Sequence, residues 1–227
     1  MNKKQMYIFI TFFCMFILIP MSMFLDLFLL GILSFILMIF SMIQTNRAAT
    51  EEIKDDMNNF TQQIEKIAQD NNLNKNQVYN NWLRKQAMIL DEEKSILAII
   101  QSNNLKMIPF KDIISSEIIK DDVSITKTSR GSQIGGALVG AAIAGGLGAL
   151  IGGLSGTKVS HNEVKKLQLQ ITVDDLINPV YIITFLNSDK PIKTDDNNYL
   201  SIEKELIHWH KLLSVIINRN ENDKAIN

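Results

Sequence analysis

Reactive side chains are few in this 227-residue sequence, and their spacing suits no catalytic or metal chemistry. His208 and His210 stand two residues apart in a stretch with helical periodicity, so their rings point to different sides, whereas a helical metal pair needs a spacing of three or four. His161 is alone. Cys14, the one cysteine, lies within an apolar run where it reads as a small core residue, and it excludes a disulfide inside the chain. Thr11-Phe12-Phe13 before it does not match a lipoprotein processing site. The carboxylate pairs Glu51-Glu52, Asp55-Asp56, Asp121-Asp122 and Asp195-Asp196 fall on a polar helix or in turns, where water solvates them. No phosphate loop of the form G-x-x-x-x-G-K-S/T is present, and no basic patch with interleaved aromatics marks a nucleic-acid surface. The expectation is a non-enzyme with no metal, no cofactor and no nucleic-acid partner.

The chemistry that the spacing does support is association between helices. Gly131 to Gly156 reads GSQIGGALVGAAIAGGLGALIGGLSG, holds ten of the eleven glycines, and no charge falls between Arg130 and Lys158. Gly136, Gly140, Ala144, Gly148, Gly152 and Gly156 recur every four residues, which on a helix makes one groove without side chains, open to close approach by another helix. In water such a helix is weak, since each glycine costs about 1 kcal/mol against alanine. A bilayer, a partner chain or a groove of protein must hold it. A flexible linker is the plain alternative, but linkers are rarely so apolar or so regularly spaced.

The elements that position this segment begin at the front of the chain. With 46% hydrophobic residues and a formal net charge of −1 the composition is ordinary, yet Asp26 is the one charge between Met6 and Ile43. About 20 apolar residues cross a bilayer, so this run has room for two helices, about Met6 to Ile19 or a few residues further and Leu27 to Ile43, with Pro20 and Asp26 marking the break. A cleaved signal peptide is the competing account, but no small-residue cleavage site follows the first run. Lys3 and Lys4 precede the first span, Arg47 and Lys54 follow the second, and the turn between has neither. The positive-inside rule then leaves both termini in the cytoplasm of a multi-pass cell-membrane protein.

Ile53, Met57, Phe60, Ile64 and Ile67, spaced 4, 3, 4 and 3, form a narrow stripe on an otherwise polar helix. A second helix is predicted from about Lys75 to Asp91, with Val78, Trp82 and Ile89 among its apolar positions. Together these read either as a helical pair folded against the next domain or as a short oligomeric stalk. From about Lys94 the period changes to two. Ser95 to Gln101 with Lys106 to Phe110, and Ile113 to Ile119 with Val123 to Lys127, read as hairpins; Leu167 to Val173 and Val180 to Leu186 make at least six strands. Ile202, Leu206, Trp209, Leu213 and Ile216 define a closing helix from about Tyr199 to Arg219.

This succession of short antiparallel strands, with Lys106-Met107-Ile108-Pro109-Phe110-Lys111-Asp112-Ile113 running into Ile114-Ser115-Ser116-Glu117-Ile118 and one amphipathic helix at the end, resembles the pleckstrin-homology-like (PH-like) and GRAM-like domains of bacterial membrane proteins. Thr126-Lys127-Thr128-Ser129-Arg130-Gly131-Ser132-Gln133, leading into the glycines, is similar to a group of proteins from low-GC Gram-positive bacteria and their phages. The resemblance covers about residues 94 to 217 and implies a barrel-like scaffold that binds lipids or protein partners.

The fold class that follows is an α+β membrane protein: a transmembrane hairpin over 1–45, a helical linker or stalk over 46–92, a PH-like antiparallel β-barrel or sandwich with a C-terminal helix over 93–220, and a polar tail over 221–227. The glycine zipper is inserted at 130–158. Ser132 to Leu154 is long enough to cross a membrane, but a crossing would separate the strands before it from those after it, so the expected form is a helical hairpin reversing near Gly145-Gly146. The function expected is a membrane-anchored cytoplasmic interaction or lipid-surface module that self-associates through its zipper. The alternative is a membrane-perturbing effector, of phage exclusion or stress response, whose glycine hairpin inserts and oligomerises.

Overall fold

The computed structural model describes residues 3–24, 28–102, 104–130 and 163–226. The chain divides into two compact units, Met1–Gln63 and Ile64–Asn227.

The first unit is helical. Lys3–Phe13 (α1) runs through a π-helical turn, Cys14–Leu18, into Ile19–Phe24 (α2), and Phe28–Asp70 (α3) begins the return. Pro20 does not end the first run. Proline lacks an N–H and crowds the carbonyl four residues back, and the π-helical turn immediately before it is where such a hydrogen-bond mismatch is absorbed. α3 carries the second apolar run and the polar stripe on one helix.

Among the described residues the second unit holds eight strands in two antiparallel sheets of four. Gln77–Asn81 (β1), Gln86–Asp91 (β2), Ile96–Gln101 (β3) and Asn104–Pro109 (β4) make a meander in that order. Ile113–Lys120 (β5), Val123–Ser129 (β6), Glu163–Val173 (β7) and Val180–Lys193 (β8) make the other, in the order β6-β5-β7-β8. Asn197–Ile226 (α4) packs on β5 and its neighbours. The six strands read from alternation are all present. The helix predicted from Lys75 to Asp91 is corrected to β1, a 3₁₀ turn at Trp82–Arg84 and β2. The physical reason is burial: Ala87, Met88, Ile89 and Leu90 are all buried, so β2 is apolar on both faces and shows no period of two.

One core joins both sheets and the helix. Met88, Leu90, Leu97 and Ile99 meet Leu167, Leu169, Ile171 and Ile183, with Trp209 and Leu213 of α4. At its centre Tyr79 stacks on Phe185, ring centroids 4.1 Å apart, and meets the edge of Trp209 at 6.5 Å. Between β8 and the first sheet, side chains take the place of a backbone ladder. Gln86 and Gln101 both donate to the Ile182 carbonyl at 3.1 and 3.0 Å, Gln86 Oε1 accepts from the Thr184 N–H at 3.0 Å, and Asn81 and Tyr79 donate to the Thr184 carbonyl at 2.7 and 2.8 Å. The edge of β8 is thus satisfied without strand-to-strand pairing.

With nearly all glycines spent on the zipper, turns that need a positive φ use other residues. Asp121 and Asp122 (φ 47° and 65°) make the two-residue β5–β6 hairpin turn, and Asp121 Oδ1 accepts from the N–H groups of Lys165 and Lys166 at 3.0 and 2.9 Å. Asp196 Oδ1 accepts from the Asn198 N–H at 2.8 Å and so caps α4. These acidic residues, expected merely to be solvated, tie down backbone.

Topology also places the two points between which the glycine segment is strung. Ser115 pairs with both Ser129 and Thr172, so β6 ends level with the end of β7. Glu163, where β7 begins, therefore lies about nine residues, or about 30 Å, away along the sheet. A short turn cannot replace the connection. The expected hairpin reversing at Gly145-Gly146 lies outside the described residues.

Candidate functional site

The first site is the surface of the N-terminal helices. Their contact face is made of small and polar side chains: Cys14, Ser34 and Ser41 are buried, Thr11 Oγ1 and Ser41 Oγ lie 2.9 Å apart, and Ser41 Oγ donates to the Tyr7 carbonyl at 2.5 Å. Lys4 reaches Glu52 at 2.9 Å, so the two helices run antiparallel with the start of α1 beside the middle of α3. Their outer face is the reverse of a soluble protein's: Phe9, Phe12, Phe16, Leu33, Ile36 and Phe40 are all more than half exposed or close to it. Both helices are long and apolar enough to cross a membrane. Small residues inside and large apolar ones outside is how helices pair in lipid, where water supplies no drive and close packing must.

The second site is the β7–β8 turn. Leu176 and Ile177 are 101% and 86% exposed, and Val180 and Ile182 extend the apolar patch onto β8. The turn is built to hold them out. Asp175 Oδ1 accepts from the N–H groups of Ile177 and Asn178 at 2.9 and 3.1 Å, and Lys106 pairs with Asp175 at 2.8 Å. That lysine, then the two N–H groups, depress the Asp175 carboxyl to a pKa of about 2. The sequence shows this turn plainly as Asp174-Asp175-Leu176-Ile177-Asn178-Pro179. Its signal was an aliphatic pair at the centre of a turn, where polar residues are the rule.

Two buried polar clusters lie under α4. His210 Nδ1 is 2.9 Å from Ser116 Oγ, and Ser214 Oγ donates to Thr128 Oγ1 at 2.9 Å. Among the described residues His210 Nε2 has no partner, and burial lowers its pKa to about 4. Ser116 is wholly buried, so this pair can fasten the helix to β5 but meets no solvent. His208, as its spacing predicted, points elsewhere, toward Gln77 Oε1 at 3.3 Å. The other cluster is Lys120, Tyr199 and Glu203, in which Tyr199 OH donates to Glu203 Oε1 at 3.0 Å and burial lowers the Lys120 pKa. Beside it a polar cleft of about 470 Å³ is lined by Asp121, Asp122, Glu163, Lys165 and Lys166, with Lys166 paired to Asp122 at 2.9 Å. Among the described residues no group of three or more His, Cys, Asp or Glu side chains could hold a metal ion. The groove residues Gly136, Gly140, Ala144, Gly148, Gly152 and Gly156 lie outside the described residues.

The family described as a glycine zipper containing PH domain matches residues 71–187. The match starts where α3 has ended and takes in β1 and β2, which the strand periodicity alone had left outside the domain. A protein of Bacillus phage SPbeta named "Immunity protein" is 33% identical over 162 residues, covering 66% of this chain and 78% of the relative. An SPbeta prophage-derived uncharacterized membrane protein of Bacillus subtilis strain 168 is also 33% identical over 162 residues, covering 66% of this chain and 69% of its own length. No solved structure matches the chain. A membrane protein among the relatives accords with the two membrane-length helices found here. On the match across half of its length, and on a relative covered over three quarters, this chain belongs to the family of glycine zipper containing PH domains.

Proposed function

We propose that the chain is a non-enzymatic, membrane-anchored module. The N-terminal helices cross the cell membrane twice and leave both termini in the cytoplasm; the PH domain offers its surface to lipid or to a protein partner; and the groove from Gly136 to Gly156 packs helix to helix in self-association. The observation that carries this reading is the N-terminal pair, whose outward apolar and inward small residues suit lipid and not water. The exposed Leu176 and Ile177 support a domain that works against an apolar surface. A reporter active only in the cytoplasm is expected to work when fused after Asn227 and to fail when inserted at Ser22. A C-terminal fusion active only outside the cell overturns the hairpin.

The zipper is tested by replacing Gly140 and Gly148 together with leucine. Bulk placed where backbones approach costs about 1–3 kcal/mol per site, so crosslinked oligomer in membranes falls. Leu138→Ala or Leu150→Ala, off the groove, lowers it less. Leucine favours helix over glycine, so a mere helix-stability effect would raise the yield; unchanged or raised oligomer sinks the groove.

The phage relative's name favours a second reading, a membrane-perturbing effector in phage immunity or exclusion. It requires that inducing this chain, or challenging cells that carry it with phage, makes the envelope leak to a membrane-impermeant dye. An intact envelope under both conditions leaves the anchored module.

A further inference from the structure

We infer that the β7–β8 turn sets its aliphatic tip, Leu176 and Ile177, into the hydrocarbon edge of a lipid bilayer. The inference rests on the anchored-module reading above, which keeps the domain beside a membrane, and it names what the exposed tip works against. Both side chains stand fully or almost fully in the open, and Val180 and Ile182 carry the exposed aliphatic surface onto β8. The tip is a turn that projects from the sheet, so it offers a partner no groove of its own. Whatever covers it has to close round two side chains, as fluid acyl chains do.

Backbone beside hydrocarbon must find its hydrogen bonds within the chain, because no water is there to supply them. This turn already does so on its donor side. The N–H groups of Asp174 and Asp175 donate to the carbonyls of Asp112 and Val173, those of Ile177 and Asn178 donate to Asp175 Oδ1, and Pro179 has no N–H to satisfy. The carboxylate that gathers two of these bonds is itself held by Lys106 at 2.8 Å. A lysine keeps such a contact at the level of the headgroups while its stem lies along apolar surface.

Charge selects hydrocarbon over an anionic headgroup. Lys106 pairs with Asp175, Arg130 donates to the Lys111 carbonyl and the Asp174 N–H to the Asp112 carbonyl, which gathers three bases and three acids at this end of the domain. Arg219 and Glu221, on either side of the Asn220 that bonds the Phe110 carbonyl, add one of each sign. A surface without net charge gains little from anionic lipid, so burial of the aliphatic side chains has to supply the drive.

The test uses the full chain with Cys14→Ser, reconstituted in phosphatidylcholine vesicles and labelled with an environment-sensitive dye at one new cysteine. Ile177→Cys is compared with Val123→Cys, a position 65% exposed where β6 begins, at the far end of β5 from the tip. At position 177 the dye is expected to be quenched by a nitroxide high on the acyl chain and to be shielded from aqueous iodide about tenfold relative to position 123. Leu176→Asp should remove most of that nitroxide quenching, since a charge at the tip resists transfer to lipid. Vesicles containing phosphatidylglycerol, or raised salt, should leave both signals unchanged. Equal access of iodide to positions 177 and 123, or quenching unaffected by Leu176→Asp, overturns the inference. So does shielding without nitroxide quenching, which places protein, such as a second copy, over the tip, and so does shielding that needs phosphatidylglycerol. A dye at Ile36→Cys, on the outer face of α3, reads the anchor separately: no nitroxide quenching there sinks the anchored module and this inference with it, whereas quenching at 36 with none at 177 sinks the tip alone.

Discussion

Replacing Trp209 with alanine lowers the stability of the β domain by about 3–5 kcal/mol, the range for truncating a large buried aromatic. Trp209 is 2% exposed and its ring meets the edge of Tyr79, which in turn stacks on Phe185. One residue of each sheet and one of α4 thus close the core together. Removing the indole empties the position where three elements converge, and strands fixed on two sides have little room to collapse into it. His208→Ala, one residue away on the exposed face of the same helix, should change stability by less than about 0.5 kcal/mol. Chemical denaturation of the full chain in detergent, followed by circular dichroism, checks both. A loss under 1 kcal/mol for the tryptophan variant would mean that α4 is not part of the core.

Mild acid is expected to destabilise the domain through His210. Burial, with a smaller push from Lys211, holds its pKa at about 4 in the folded chain against 6.5 when unfolded. Above pH 6.5 the imidazole is neutral in both states. As the pH falls through 6.5 the unfolded chain takes up a proton that the folded chain refuses, so stability is lost down to about pH 4, where the loss levels off at roughly 3 kcal/mol. Glu205, whose pKa is raised by burial, works in the opposite direction, and Asp175 titrates near pH 2, below this window. The contribution of His210 is therefore the difference between the wild-type protein and His210→Gln in urea midpoints at pH 7, 5.5 and 4. That difference should shrink as the pH falls, because the variant has no proton to refuse. Parallel curves would mean that the ring reaches water.

Local pattern carried much of this fold. Apolar runs marked both N-terminal helices, alternation marked β3 to β8, and the spacing from Ile202 to Ile216 marked α4, because each signal is contained within one element and one face. The resemblance to PH-like domains leading into a glycine segment agrees with the family found; the regular spacing of the glycines is a property of the sequence, and its groove falls outside the described residues.

Tertiary structure decided what depends on partners distant in sequence. β1 and β2 were missed because Ala87 to Leu90 are covered on both faces, which erases the alternation that a half-buried strand shows. Gln86, Gln101 and Tyr79 satisfy the edge of β8 across about 80 to 105 positions of chain, a closure that no local window contains. The same holds for His210, buried because β5 and β6 lie over it, and for Ser129 and Glu163, set at opposite ends of a sheet by their separate pairings with β5 and β8. Periodicity states which face of an element is apolar; which surface covers that face, and which polar atoms are left to be satisfied there, is determined only when the chain is packed.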